Sequence, residues 1–295
     1  MATSICGLEP ISFDLERLEN MAEAGYYNPY TMFDWPDDLT RERPWMSEDL
    51  TTLYGTPAWD LLSAEQRLAL TRCEAIHFFS LNVHGIRELM SEVVLRIHTK
   101  AYADVSEFLH HFIGEENEHM WFFSKFCLQY GGKIYPPTPN VGLGRDLQVS
   151  VPATELIMFA RILIFEEIVD YFNARMATDS TLPQIAQDLN RVHHQDESRH
   201  VAFGRQIFTQ LLDQVKRNYP EDLAPLNKYL HDYLLFSIRS LYHPAVYRDA
   251  GIADPVRVRA EALARPERAE AHAQILQRTV RFLERSGLEI GAVLV

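Results

Sequence analysis

The chain has 295 residues, 47% hydrophobic and 11% aromatic, which suits one large domain or two small ones and excludes a disordered chain. A formal charge of -13 opposes binding to nucleic acid or to anionic membranes, and three cysteines (Cys6, Cys73, Cys127) are too few and too irregularly spaced for a disulfide framework or a thiolate metal site. The opening "MATSICGLEP" lacks the basic start and apolar core of a signal peptide, and no run of 18 uncharged apolar residues occurs, so the expectation is a cytoplasmic protein with reduced cysteines and no membrane partner.

Taken in chain order, the sequence reads as helix nearly throughout, with no convincing strand. Residues 1–60 carry one helical segment, "ISFDLERLENMAEA", followed by a Pro-, Trp- and Tyr-rich stretch (26–59) with turn signals but no period, expected as an ordered wrap over the core. The capping box "SAEQ" at Ser63 opens a helix predicted to reach about Thr99. Asp104 and Glu107 give a second capping signal, and that helix stops at the glycines of "YGG", residues 130–132. Residues 133–151 read as a long crossover. A third helix starts at Pro152 and ends near Ala177; a fourth runs from about Pro183 to Lys216 after the "TDSTLP" break. From Pro220 two or three accessory helices follow, the last ("RAEAHAQILQRTVRFLERSG") charged and expected at the periphery. The predicted organisation is therefore an N-terminal wrap (1–60), a four-helix core (63–216) and accessory helices (220–295) within one all-α domain.

Two hairpins joined by a crossover outline a four-helix bundle, and each hairpin contains Glu-x-x-His, a spacing that sets both side chains on one helix face within reach of one ion. Dimetal bundles use this motif on two helices and a lone Glu on each of the other two. The sequence contains four such pairs: Glu74/His77, Glu107/His110, Glu116/His119 and Glu197/His200. Depth separates them. With hairpin turns near residues 101 and 180, Glu116 lies level with Glu88, and Glu197 and His193 lie level with Glu166, both sites roughly 20 Å from the hairpin ends at about 1.5 Å rise per residue. Glu107/His110 faces outward near the turn, and Glu74/His77 lies too far along.

His193, Glu197 and His200 stand at i, i+4 and i+7 on one stripe, whereas His194 is rotated about 100° away. Glu166 sits in the almost wholly apolar segment "ELIMFARILIFEEIVDYF", where a carboxylate needs a cation: a metal, or the partner arginine of a buried salt bridge, Arg161 or Arg87. The candidate ligands are thus Glu88, Glu116, His119, Glu166, His193, Glu197 and His200, a hard oxygen and imidazole set suited to iron or manganese. Glu115 and Asp196 each precede a candidate glutamate and are placed either to accept a hydrogen bond from the far nitrogen of a facing histidine or to lie in solvent. His84, one turn before Glu88, reads as a pocket-lining or a satisfied core residue, and so does Asn173; Gly204 reads as room for substrate or as close helix packing.

"EENEH" and "DESRH" resemble the paired motifs of ferritin-like dimetal carboxylate proteins, and the extra histidine of "HHQDESRH" is not their usual pattern. The order Glu88, "EENEH", Glu166, "HHQDESRH" resembles the p-aminobenzoate N-oxygenase family of non-haem di-iron monooxygenases over roughly residues 50–245, and "LYGTPAWDLLSAEQR" also looks familial. The resemblance implies a ferritin-like bundle with the seven ligands named above, two irons (manganese being the alternative), O2, an external electron-donor protein or reductant, and oxidation of a small-molecule amine. A homodimer is compatible with it. A desaturase or carbon hydroxylase and a ferritin-like iron oxidase remain open as alternatives, and substrate identity does not carry over.

Overall fold

The computed structural model describes residues 7–140, 142–144 and 147–293, so Cys6 lies outside the described residues. Those residues form helices and no strand. In chain order these are α1 (Glu16–Gly25), α2 (Pro29–Met32), α3 (Pro57–Asp60), α4 (Ala64–Val94), α5 (Ser106–Gly131), α6 (Val151–Met176), α7 (Gln184–Asn218), α8 (Leu223–Ser240), α9 (Pro244–Asp249), α10 (Pro255–Leu263) and α11 (Pro266–Arg285). No helix among the described residues is long and apolar enough to cross a membrane.

Local signals set most of the ends. Ser63 accepts from the amide of Gln66 while the Gln66 side chain accepts from that of Ser63, so the capping box starts α4 as its sequence predicts. α5 ends at Gly131 with Gly132 left-handed (φ 67°), the conformation that makes glycine an efficient stop. Its start differs from expectation: Asp104 caps nothing, because a 3-10 turn (Ala103–Val105) runs straight into the helix. α4 also ends five residues before Thr99, at Val94, in a series of turns.

α4 and α5 pair as one antiparallel hairpin, α6 and α7 as the other, with residues 133–150 crossing between them. The hairpins meet where Phe78 stacks on Phe172 (5.0 Å between ring centroids) and where Gly85 faces Phe165, whose ring atoms a Cβ on residue 85 would overlap. Phe79 carries the inward face of α4 against α5, stacked on Phe123 at 4.8 Å and edge-on to Phe126 at the same distance. Since Phe79 is fully buried, Phe79→Ala should lower unfolding free energy by about 3–5 kcal/mol, the usual cost of a phenyl-sized hole, measured by urea denaturation.

The N-terminal stretch wraps the bundle as an aromatic layer: Tyr30, Trp35 and Trp45 pack on Trp121, Tyr130 and Phe126 of α5, and Lys125 lies over the Trp35 ring at 4.3 Å. The last helix is less peripheral than its charge suggests. α11 lays Ile275, Leu276 and Leu283 into the core, and its polar groups reach α6: Arg278 pairs with Asp170 at 2.7 Å and Thr279 donates to Glu167 at 2.6 Å. Charge on this helix is therefore partly internal, used to satisfy acids on the outer face of α6.

Candidate metal centre

Six of the seven candidate ligands meet in the bundle core. Atoms of His119, His193 and Glu197 lie within 4.8 Å of one another, as do those of Glu116, Glu166, Glu197 and His200, so Glu197 belongs to both groups. All six side chains are buried. Nδ1 of His200 is 2.8 Å from Glu116 Oε1, Nε2 of His193 is 2.9 Å from Glu197 Oε1, and Nδ1 of His119 is 3.6 Å from Glu116 Oε1.

The helical stripe explains why α7 supplies three of them. His193, Glu197 and His200 point inward together, while His194 turns to the outer face and pairs with Asp170, its side chain 43% exposed. Glu116 and His119 share one turn of α5, and Glu166 is the acid of α6 that faces the interior, its neighbour Glu167 being taken up by Arg205 and Thr279.

The opposite ring nitrogens are each held. His119 Nε2 donates to Asp196 at 3.0 Å and His200 Nε2 to Glu115 at 2.8 Å. The side-chain amide of Asn173 meets Nδ1 of His193 through its Nδ2 at 2.5 Å and holds that edge of the ring. Arg199 joins the two carboxylate supports, donating to Glu115 at 2.5 Å and to Asp196 at 2.6 Å, and the hydroxyl of Tyr27 donates to Asp196 at 3.1 Å. Such supports fix tautomer and ring orientation, so Asp196→Asn should weaken the affinity for a divalent metal about 10- to 100-fold in a chelator competition.

Which atoms remain unpartnered tests whether the residues suit a metal. His119 Nδ1, His193 Nε2, His200 Nδ1 and all six carboxylate oxygens of Glu116, Glu166 and Glu197 are buried without a hydrogen-bond partner. Buried polar atoms are ordinarily satisfied, and this concentration of inward lone pairs, nitrogen and oxygen together, is a donor set for hard or borderline divalent cations. Charge in the metal-free protein is arranged around the same conflict. Burial, with Glu197 and Glu116 nearby, pushes Glu166 well above the carboxylate range. Burial opposes ionisation of Glu197 too, but the charges of His193 and His200 outweigh it and hold that carboxyl well below the usual range. Burial disfavours the imidazolium of His119, yet Asp196 and Glu116 raise it to about 10; His200 is raised well above its ordinary value against the same penalty by Glu197, Glu115 and Glu116.

Glu88 is not part of this cluster. Its side chain is 61% exposed and it pairs with Arg161 of α6. The depth estimate gives its height but not its azimuth: the buried stripe of α4 runs through Phe79, Asn82, Ile86, Leu89 and Val93, and Glu88 falls outside it. Neither arginine of the salt-bridge reading reaches Glu166, since Arg161 is engaged with Glu88 and Arg87 with His84, and both Glu166 oxygens have no partner. Glu74 is buried but accepts from the amide and hydroxyl of Thr52, with burial raising it to about 7, and His77 is lowered to about 3 by burial; neither joins the cluster. His110 lies 3.1 Å from His98 on the surface.

Two of the spaces beside the bundle involve the predicted site residues. A cavity of about 330 Å³ lies between α4, α6, α8 and the crossover, walled by Phe78, Leu81, Phe165 and Ile168, with His84, Glu88, Arg161 and Tyr233 as its ionisable groups. His84 Nε2 also meets the carbonyl of Tyr135 at 2.7 Å, so this residue is both satisfied and cavity-lining. Arg161 is the cavity residue that sequence reasoning assigned to other work; its spacing from Glu166 places it on the outer side of α6, but only the packing of α8 makes that side a cavity. A smaller void of about 10 Å³ touches Glu166, His200, Phe112 and Gly204, and a Cβ on residue 204 would meet Leu163 at 3.3 Å, so Gly204 serves packing and space together.

No curated protein matches the chain. The family model described as P-aminobenzoate N-oxygenase AurF matches residues 14–287, and a match over nearly the whole length, on an all-helical bundle with this histidine and carboxylate cluster, means that the chain belongs to the AurF family of oxygenases.

Proposed function

We propose that the protein is an O2-dependent di-iron monooxygenase that oxidises the nitrogen of a small arylamine, drawing electrons from an external donor. The observation that carries this reading is the shared cluster: two groups of inward, unpartnered lone pairs joined through Glu197, within a family of N-oxygenases. His119, His193, Glu116 and Glu197 would hold one ion, and Glu116, Glu166, Glu197 and His200 the other. Iron bound there would supply the redox capacity to activate dioxygen, which no side chain of the cluster has.

The remaining tasks belong to the chain. Asp196 and Glu115 hold His119 and His200 in the tautomers that face inward, and the amide of Asn173 keeps the ring of His193 in place. Phe112, Phe122, Phe123 and Phe203 exclude water around the histidines, which strengthens every charge interaction inside. The 330 Å³ cavity, apolar with two opposed charges at its wall, matches a flat aromatic ring carrying a polar substituent, and it lies at the low end of the size range for small-molecule sites.

The test is turnover by iron-loaded protein with reductant and oxygen against arylamines, aliphatic amines and acyl thioesters. Arylamines should gain one oxygen on nitrogen, derived from labelled O2. Turnover confined to acyl thioesters would sink the N-oxygenase reading and leave the desaturase or hydroxylase in its place.

A further inference from the structure

Bundles of this design take a carboxylate from each of the two helices that lack a metal-binding Glu-x-x-His, yet α4 brings none to the cluster. Glu88 is turned out toward Arg161 and Glu74 is spent on Thr52. Asn82 is the polar residue α4 does place on its inward stripe. It is fully buried, its Nδ2 donates back to the carbonyl of Phe78 at 2.8 Å, and its Oδ1 has no partner. Because only the amide nitrogen can donate to a carbonyl, the back-bond fixes the free atom as the oxygen.

Its position matches the cluster. Phe79, one turn earlier on the same face, stacks on Phe123, which packs edge-on to His193 at 4.9 Å. Antiparallel pairing of Phe79 with Phe123 sets Asn82 level with residue 120, beside His119. The contacts Phe78–Phe172 and Gly85–Phe165 bracket it against the stretch of α6 between Glu166 and Asn173. Asn173 and Asn190 also have a free Oδ1, but Asn173 lies on α6, which already gives Glu166, with its Nδ2 turned to His193, and Asn190 lies on α7, which already gives three donors, seven residues and thus about 10 Å of helix from Glu197.

We infer that Asn82 supplies the α4 ligand, a neutral amide oxygen standing where a carboxylate would complete the set, on the side of His119 and His193. The inference rests on the dimetal reading above. Its chemical consequence is a centre with three carboxylates against two divalent ions, one net positive charge where four carboxylates would give none. The ion on the His119 side is then the more weakly held, and the site is biased toward an anionic or electron-rich guest.

The experiment is anaerobic titration with ferrous iron, read as stoichiometry and as affinity by chelator competition, for wild type, Asn82→Leu, Asn82→Asp and Glu88→Gln. Wild type should take two ions of unequal affinity. Asn82→Leu should lose the weaker ion or bind it at least about tenfold more loosely, Asn82→Asp should tighten it about tenfold or more, and Glu88→Gln should match wild type. Two ions bound by Asn82→Leu with wild-type affinities would overturn the assignment while leaving the dimetal reading intact. If the leucine variant does not fold, an unchanged weak affinity in Asn82→Asp overturns it equally. A wild type that takes no iron would overturn both.

Discussion

On the proposed di-iron function, Glu197→Ala should bring the chain from two irons to fewer than one and abolish oxygenase turnover. This side chain belongs to both groups of donors, so its loss removes a ligand from each ion at once. It also removes the counter-charge that His193 and His200 share at 2.9 and 3.5 Å, leaving two buried imidazoles with less reason to stay in place. The matched control is His194→Ala, one residue past His193, on the outer face against Asp170: it should keep both irons. Elemental analysis after anaerobic loading reads the difference, and two irons in Glu197→Ala would remove this carboxylate from the centre.

The second large effect is on pH. In the metal-free protein His119 is raised to about 10 and His200 is raised well above its ordinary value, so both stabilise the fold fully below about 6.5, the unfolded imidazole value, and that contribution is lost as pH rises through the folded values. Glu166, raised by burial and by its acidic neighbours, acts in the same direction. Glu197, held low, contributes only above the unfolded carboxylate value of about 4.3 and loses its contribution as pH falls. The metal-free protein should therefore be most stable in mildly acid solution, losing stability as pH rises through the folded values of Glu166, His119 and His200 and as it falls below about 4.3. Metal binding needs the same groups deprotonated, so iron should displace up to three protons, one each from His119, His200 and Glu166. Binding then strengthens with pH by about 1.4 kcal/mol per displaced proton per pH unit. The Tm difference between loaded and metal-free protein should widen from pH 6 to pH 8, and calorimetry in buffers of different ionisation enthalpy should count the protons. A Tm difference independent of pH would mean that the ligands are already deprotonated.

Much of the site is legible in the sequence because helical spacing fixes which residues share a face. The stripe His193, Glu197, His200 and the pair Glu116, His119 follow from periodicity alone, and the capping box at Ser63 and the glycine stop after Gly131 mark where two of the helices begin and end. Glu88 illustrates the limit. Counting residues from a hairpin turn yields height along a helix, and at that height an acid was available, but rotation about the helix axis is set by packing: Phe79 against Phe123 and Gly85 against Phe165 turn Asn82 inward and Glu88 out. The cavity at Arg161 is invisible for a related reason, since it is made by α8 and the crossover, segments distant in sequence from both walls.

The buried guanidinium of Arg199 makes the two histidine supports interdependent. With either Glu115 or Asp196 replaced by its amide, one carboxylate still balances the arginine, whose side chain is only 6% exposed. With both replaced, a buried cation has no counter-charge, a situation that costs about 3–5 kcal/mol. The double variant Glu115→Gln/Asp196→Asn should thus be less stable than the sum of its single variants by an interaction energy of about 1–3 kcal/mol. Drift in one of these two positions during evolution is consequently constrained by the other: the first loss is tolerable, and it turns the surviving acid from one of two supports into an indispensable one.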